Sequence, residues 1–432
     1  MISGPARPWS REERLALAGI LAAGILIRLV LLPTEGLRGD IDQFVGWVHA
    51  LATHGLGTLY SGTAVGPVAF GPVMAYIWAV LAAIQPAFAT VTDAADPGIR
   101  ALMKLPASLA DLGLAAIILY TLRDHARWAV AGVAAILLNP AVIYVSAWWG
   151  QYESIFLLSA LGALVAAING RNGLAAALVT VALMTKPQAV AFLIPLAAWF
   201  WATGYATSGV RGGVVELVRT ALAALVTLVV LWLPFLPAGG PVRYLEGLGM
   251  YQTDVFRTLS LNAWNIWWLL QEAAGGHFLA DDTAVLGSLG PRQLGYLATA
   301  VLSLIVAVAI IRAPRPQVLI LGATASAMVV FTFMTQMHER YAFAALIMPA
   351  LLLSHAPTRW WWLAFSATFL LNLVAAVPPS PEVGAVLPAF GPLGVVGALA
   401  MTGLCIWSVI LTRQASLRAW SKPPAVPGAT GP

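Results

Sequence analysis

Charge is what this chain has least of. Of its 432 residues only 9% are Asp, Glu, Lys or Arg, against roughly 25% in an ordinary soluble chain. Hydrophobic residues make up 60%, and the mean hydropathy is +0.84. That balance excludes a soluble globular enzyme and leaves no polar stretch long enough to stand as a soluble domain. Cysteine is nearly absent too. Cys405 stands alone, so no internal disulfide can form and nothing follows about redox compartment. There is no His-x-x-x-His metal spacing, no phosphate-cradling glycine loop and no Gly-x-Ser-x-Gly elbow. No internal repeat is visible, which argues against a transporter built from inverted halves. The small positive excess of +5 encodes topology, and no nucleic-acid partner is expected.

What is there is a succession of apolar runs, each to be weighed against the roughly 20 residues a spanning helix needs. The first, about 15–33, follows Arg7, Arg11 and Arg14 and has no small-x-small cleavage site after it, so it reads as a retained span. Residues 34–99 form a long outer loop. Its apolar stretch Val68 to Ala89 is broken early by Gly71 and Pro72, and a crossing there would invert the charge of every later loop. It therefore reads as interfacial or re-entrant helix. Further spans are expected at about 100–122, 127–146, 152–169, 174–185, 189–203, 219–236, 292–312, 316–334, 341–354, 360–378 and 390–412. This gives an all-α polytopic protein of about 12 spans in one membrane domain, 1–422, with both termini cytoplasmic and a second long outer loop at 237–291. The tail 423–432 is expected to be disordered. Of the 23 Lys and Arg residues, the positive-inside rule leaves unexplained Arg28, Arg38, Arg100, Lys104, Lys186, Arg243, Arg257, Arg292 and Arg340.

Those cations and a few acids gather on the outer face. Asp40 and Asp42 follow the first span. On a helix, Asp40 shares a face with Phe44, Trp47 and Leu51, and Asp42 points elsewhere. Asp40 is either a capping or solvated acid, or a general base at the membrane surface. The pair also has the form of a metal-binding Asp-x-Asp. Arg100 and Lys104 lie on one face of the second span, as snorkelling anchors or a phosphate clamp. Asp111 lies deeper and reads as structural, because intramembrane acids are costly and partnered. Two short spans meet at Thr185-Lys186-Pro187-Gln188, and a broken helix is tolerated only where it is buried in protein or lines a cavity. Gln151 and Glu153 on one tight turn, His338 and Arg340 on another, and Arg257 complete the outer-face set. One base among several cations suits transfer from a phosphate-linked donor, since cations stabilise the charge that develops on a leaving phosphate.

These patches resemble the GT-C glycosyltransferases that use polyprenyl-phosphate sugars, in particular the dolichyl-phosphate-glucose-dependent glucosyltransferases of asparagine-linked glycosylation and bacterial mannosyltransferases of similar type. Gly39-Asp40-Ile41-Asp42 is similar to their Gly-Asp-x-Glu motif, with Asp42 in place of Glu. Gln151-Tyr152-Glu153-Ser154 resembles a Gln-Tyr-Asn-Ser turn, and Lys186-Pro187-Gln188 a Lys-Gln segment. His338-Glu339-Arg340 resembles a His-Glu-Lys motif, and the run from Asn262 through Trp264 to Trp268 an Asn-x-aromatic-Asn-x-Trp segment. In family order they cover about residues 39–341.

The resemblance implies an inverting hexosyltransferase, moving mannose or glucose from a polyprenyl-phosphate donor to a glycolipid or protein acceptor. The work would be done on the extracytoplasmic face of a prokaryotic plasma membrane, among its lipids. Asp40 is the expected base, and Asp42 a helper or metal ligand. Phosphate contacts are expected from Arg100, Lys104, Lys186 and Arg340, and sugar or acceptor contacts from Gln151, Glu153, His338, Asn262, Trp264 and Arg257. No cofactor is expected; a divalent metal is compatible with the two aspartates but not expected. The competing readings are a ligase of the same fold with a pyrophosphate-linked donor and a lipid-sugar flippase, which would carry charge through the whole depth of the bundle.

Overall fold

The first apolar run becomes α1 (Arg11–Leu31), begun by a capping box in which Ser10 and Glu13 bond each other's backbone. The computed structural model describes residues 8–62 and 66–420; the expected disordered tail lies outside them. The loop that follows α1 holds α2 (Arg38–His54) and α3 (Pro72–Ile84). Both are too short to span, as the sequence reading expects of this loop. They pack on each other through Trp47 and Trp78, whose rings lie 5.3 Å apart, and both residues are buried. Aromatic pairs of this kind add about 0.5–1.5 kcal/mol beyond the area they bury.

The bundle continues through α4 (Pro97–Leu122) and α5 (Ala126–Leu137). Next comes α6 (Pro140–Ile143), which runs into a π-helical turn, Tyr144–Trp149; α7 (Glu153–Ile168) and α8 (Asn172–Leu183) follow. A 3-10 segment, Pro187–Phe192, then leads into α9 (Leu193–Trp232). Where the sequence suggests two spans parted by a loop, α9 is helical throughout save for a break at Ser208 and Gly209. That break folds its second half back, so that Glu216 reaches Asn172 of α8. The second long loop is more structured than its sequence indicates. It contains α10 (Gly240–Met250), a π-turn Tyr251–Val255, the strand β1 (Ser260–Leu261) and α11 (Ile266–Ala273).

The chain closes with α12 (Pro291–Arg312), α13 (Pro316–Phe333), strand β2 (Met337–His338), α14 (Phe343–Ile347), α15 (Ala356–Ala376), α16 (Pro381–Val386) and α17 (Pro392–Trp420). β1 and β2 pair in parallel, with Ser260 opposite Met337 and Leu261 opposite His338, which ties the second loop to the His338 turn.

Among the described residues six helices are long and apolar enough to cross a membrane, seven if α5 and residues 140–149, bent by 40°, count as one. The chain is an integral, all-α membrane protein. The expected count of about 12 is not reached on this measure. Several of the apolar runs are instead short helices, such as α7 and α8, or segments where Pro187 and Pro349 sit in 3-10 turns that hydropathy alone does not register.

Candidate active site

Asp40 lies in the first turn of α2, where the N-cap is Leu37, so Asp40 is not itself the cap. The expected face forms: Phe44, Trp47 and Leu51 are buried, and the half-buried Asp40 stands at its edge. Both hydrogen bonds to its carboxylate end on one oxygen. Trp149 Nε1 donates to Oδ2 at 3.0 Å and Gln151 Nε2 at 2.5 Å, while Oδ1 accepts none. The π-turn makes this arrangement. It ends at Gly150, whose left-handed φ of 89° suits glycine, and so turns Trp149 and Gln151 toward α2.

The carboxylate faces a cavity of about 450 Å³ that Lys186, His338 and Arg340 also line. Lys186 is delivered by the break after α8. The backbone N–H groups of Gly71 and Val73 donate to the carbonyls of Thr185 and Met184, so the first long loop clamps the broken helix. Only glycine fits there, because a Cβ on Gly71 would sit 2.2 Å from the Met184 carbonyl oxygen. The Lys186 ammonium pairs with Glu153 and lies 5.4 Å from the ring centres of Phe70 and Tyr341. Burial lowers its pKa, an effect the Glu153 carboxylate opposes. Arg340 donates to Glu339 at 3.0 Å, lies 3.5 Å from Glu153, and stacks its guanidinium 5.1 Å above the Trp149 ring. Trp149 therefore gives its N–H to Asp40 and its face to Arg340.

Burial, and then Arg340, push the His338 pKa down, so that its imidazole is neutral at pH 7. For Glu339 burial acts upward, but His338 and Arg340 outweigh it and hold the carboxyl at about 2. The cavity is thus not the simple ring of cations around one base that the sequence suggests. Each of its two cations already has a carboxylate partner, which fixes its position before any substrate arrives.

Of the sequence-predicted residues, Asp40, Gln151, Lys186, Asn262, His338 and Arg340 line this one cavity. Asn262 reaches it with a left-handed backbone, φ 58°, and a bridge to His338. Glu153 sits one layer back, behind Lys186. The others are elsewhere. Asp42 pairs with Arg38 at 3.1 Å and accepts from the Ala94 N–H. Two residues apart on a helix, Asp40 and Asp42 diverge, so they form no metal pair. Arg100 is held by the carbonyls of Pro33, Ala94 and Ala95, and Lys104 by that of Thr34 at 2.7 Å. Both brace the first loop and neither reaches the cavity as a phosphate contact. Trp264 is buried and donates to the Ala389 carbonyl. Arg257 is exposed and pairs with Asp282 at 2.7 Å. No group of three or more possible metal ligands occurs among the described residues. Trp149 also lines the cavity, as do Tyr251 and Phe256 from the second loop, and none of the three is among the residues the sequence singles out.

This geometry sets a carboxylate with one free oxygen across a cavity from two oriented cations, an arrangement able to take a proton and to stabilise a leaving anion. Residues 70–247 match the ALG6, ALG8 glycosyltransferase family. The matched stretch holds Gly71, Gln151, Glu153 and Lys186, and it supports reading this chain as a membrane glycosyltransferase, the class its sequence resembles. Among solved structures the chain is similar to the archaeal oligosaccharyltransferase AglB from Archaeoglobus fulgidus, in complex with an inhibitory peptide and a dolichol-phosphate. The identity is 15%, over 94% of this chain and 56% of that one, with a TM-score of 0.44. This chain therefore spans little more than half the length of that relative. No curated protein matches.

Proposed function

We infer that this protein is an inverting glycosyltransferase that moves one hexose, mannose or glucose, from a polyprenyl-phosphate donor to a lipid-linked or protein acceptor on the extracytoplasmic face of a prokaryotic plasma membrane. The observation that carries this reading is the placement of Asp40 across one cavity from Lys186 and Arg340. An apolar cleft of about 160 Å³ shares Pro187, Gln188 and Tyr341 with that cavity and continues along α13 past Ala327 and Phe331. A phosphate at Lys186 and Arg340 would leave its prenyl chain at the mouth of this cleft.

In the reaction, Asp40 takes the proton of an acceptor hydroxyl through its free oxygen. The hydroxyl oxygen bonds to C1 of the sugar as the C1–O bond to phosphate breaks. The electron pair leaves on the phosphate, where Arg340 and Lys186 stabilise it, and the anomeric centre inverts. Phosphate is a good leaving group, so no general acid is required.

The test is transfer of labelled hexose from synthetic polyprenyl-phosphate-mannose and polyprenyl-phosphate-glucose to a membrane lipid extract, with and without EDTA, by wild type and Asp40→Asn. Turnover by the wild type that collapses in the variant supports the assignment. Retained turnover in Asp40→Asn removes Asp40 as the base. Folded wild type that ignores both donors but uses a pyrophosphate-linked oligosaccharide would make the protein a ligase.

A further inference from the structure

A second cavity, of about 740 Å³, lies beside that of Asp40, and the wall between them is one chain thick. Along the first long loop, Pro67 and Val68 line the second cavity, whereas the next two residues, Ala69 and Phe70, line the first. Along α10 and its continuation, Gly247 and Met250 belong to the second cavity, and Leu248 and Tyr251 to the first. The two segments meet at a seam. The Tyr251 phenol donates to the Pro67 carbonyl at 2.9 Å, and Gly247 faces the Pro67 ring, which a Cβ there would meet at an ordinary contact distance of 3.4 Å.

We propose that this second cavity holds the neutral glycan headgroup of the acceptor, whose reacting hydroxyl reaches Asp40 at the Tyr251–Pro67 seam. The proposal rests on the glycosyl-transfer reading above.

The chemistry of the walls selects that ligand. The floor is aromatic. Tyr60 and Tyr244 line it edge to face at 5.8 Å, backed by the buried Trp232, and offer apolar ring surface to the C–H face of a sugar. The Tyr244 hydroxyl is buried and has no hydrogen-bond partner, and burial raises its pKa, so it stays a phenol able to donate. The rim is polar and carries mixed charge. Arg243 pairs with Glu246 at 3.0 Å, and Thr253 and Asp254 line the cavity from the π-turn that continues the same helix. With one cation and two acids, the rim disfavours a phosphate or an acidic sugar, whereas carboxylates and hydroxyls can bond the hydroxyls of a neutral one. Placed here, the acceptor approaches Asp40 from the side of the second loop, and Lys186 and Arg340 remain free for the donor.

The probe is n-octyl β-glucoside, used below its micelle concentration with the full chain in lipid nanodiscs. Thr253→Cys places an accessible thiol at the cavity, and the native Cys405 is only 1% exposed. The glycoside should slow maleimide labelling of that variant by at least about fivefold, and octyl glucuronide should not. In transfer assays with the same glycoside, Glu246→Gln and Tyr244→Phe should each raise the acceptor KM about tenfold and leave kcat and the donor KM within about twofold. Absence of protection together with an unchanged acceptor KM overturns the proposal, and so does equal protection by an uncharged tripeptide amide. Labelling needs no turnover. Protection without transfer would keep the glycan site and sink the transferase reading, whereas transfer without protection would do the reverse.

Discussion

Among the clusters of charge that this molecule buries, two differ in closure. In the interior, Asp111 accepts from Arg28, Ser146 and Ser154, and Arg28 Nη1 donates to the carbonyls of Gly24 and Leu137. Both oxygens of Asp111 are engaged, and Arg28 Nη2, which makes no hydrogen bond, lies 2.8 Å from Asp111 Oδ2. At the end of the bundle that carries Asp40, the cluster is open. Asp40 keeps a free oxygen, Glu153 Oε2 and Gln151 Oε1 accept nothing, and Arg340 Nε has no hydrogen bond. One stretch serves both clusters. Residues 146 and 154 bond Asp111, while Trp149, Gln151 and Glu153, lying between them, turn toward Asp40 and Lys186. A satisfied buried pair fixes structure; a buried group left short of partners is where a ligand can be recognised. On this view the interior pair is the fixture that lets the open cluster keep its geometry.

The comparison predicts that the two clusters fail differently. The largest effect belongs to Asp40→Asn. Transfer should fall by about 10²–10⁴, the usual worth of a general base, and the melting temperature should hardly move. A variant that loses stability as well would mean that Asp40 is part of the scaffold. Asp111→Ala should do the opposite. It strands Arg28 in the interior and should lower stability by about 3–5 kcal/mol in detergent unfolding, whereas Arg28→Met with Asp111→Leu should recover most of that loss. If the double variant is stable yet inactive, the interior pair does more than hold the 146–154 stretch. Arg340→Lys is a smaller and more pointed change. It keeps the charge but loses the planar stack on Trp149 and the fixed fork toward Glu339. Stacking of this kind is worth about 0.5–2 kcal/mol, so the donor KM should rise about two- to thirtyfold. An unchanged donor KM would separate Arg340 from the phosphate.

The same contrast explains what could be read from the sequence. Asp40 was legible because acids are few in this chain and because Phe44, Trp47 and Leu51 set its face. Lys186 was legible because proline next to lysine in an apolar run signals a break. Arg100 and Lys104 were misplaced because their acceptors are the backbone carbonyls of Pro33, Thr34, Ala94 and Ala95, which leave no mark in the sequence. Asp42 did carry a signal, since Arg38 four residues earlier is the spacing of a helical ion pair. Trp149 carried none. Its role depends on the π-turn, and no residue pattern separates that turn from an ordinary helix end.

The finest distinction between the clusters is their response to pH. His338 and Glu339 lie at the cavity, and the fold lowers the pKa of each. A lowered histidine pKa means that the unfolded chain, titrating near 6.5, takes up a proton the native state refuses. Stability is then full above about pH 6.5 and falls below it, until the native pKa is reached, by at most about 1.4 kcal/mol per pH unit for one group. Glu339, native pKa about 2, adds its own stability above about 4.5 and loses it from there downward. Between about pH 6.5 and 5, therefore, the change of stability with pH comes from His338 and not from Glu339. His355 is also pushed down, by burial and Arg418, so the informative quantity is the difference between wild type and His338→Gln. Melting curves of the two should run parallel above pH 7 and converge between about 6.5 and 5. Below about 4.5 wild type should fall more steeply than the variant, which lacks the His338 contacts that lower the Glu339 pKa. A wild-type curve that instead gained on the variant as the pH fell through about 6.5 would place a charged imidazole in the native cavity, and His338 would then count with Lys186 and Arg340 as a third cation.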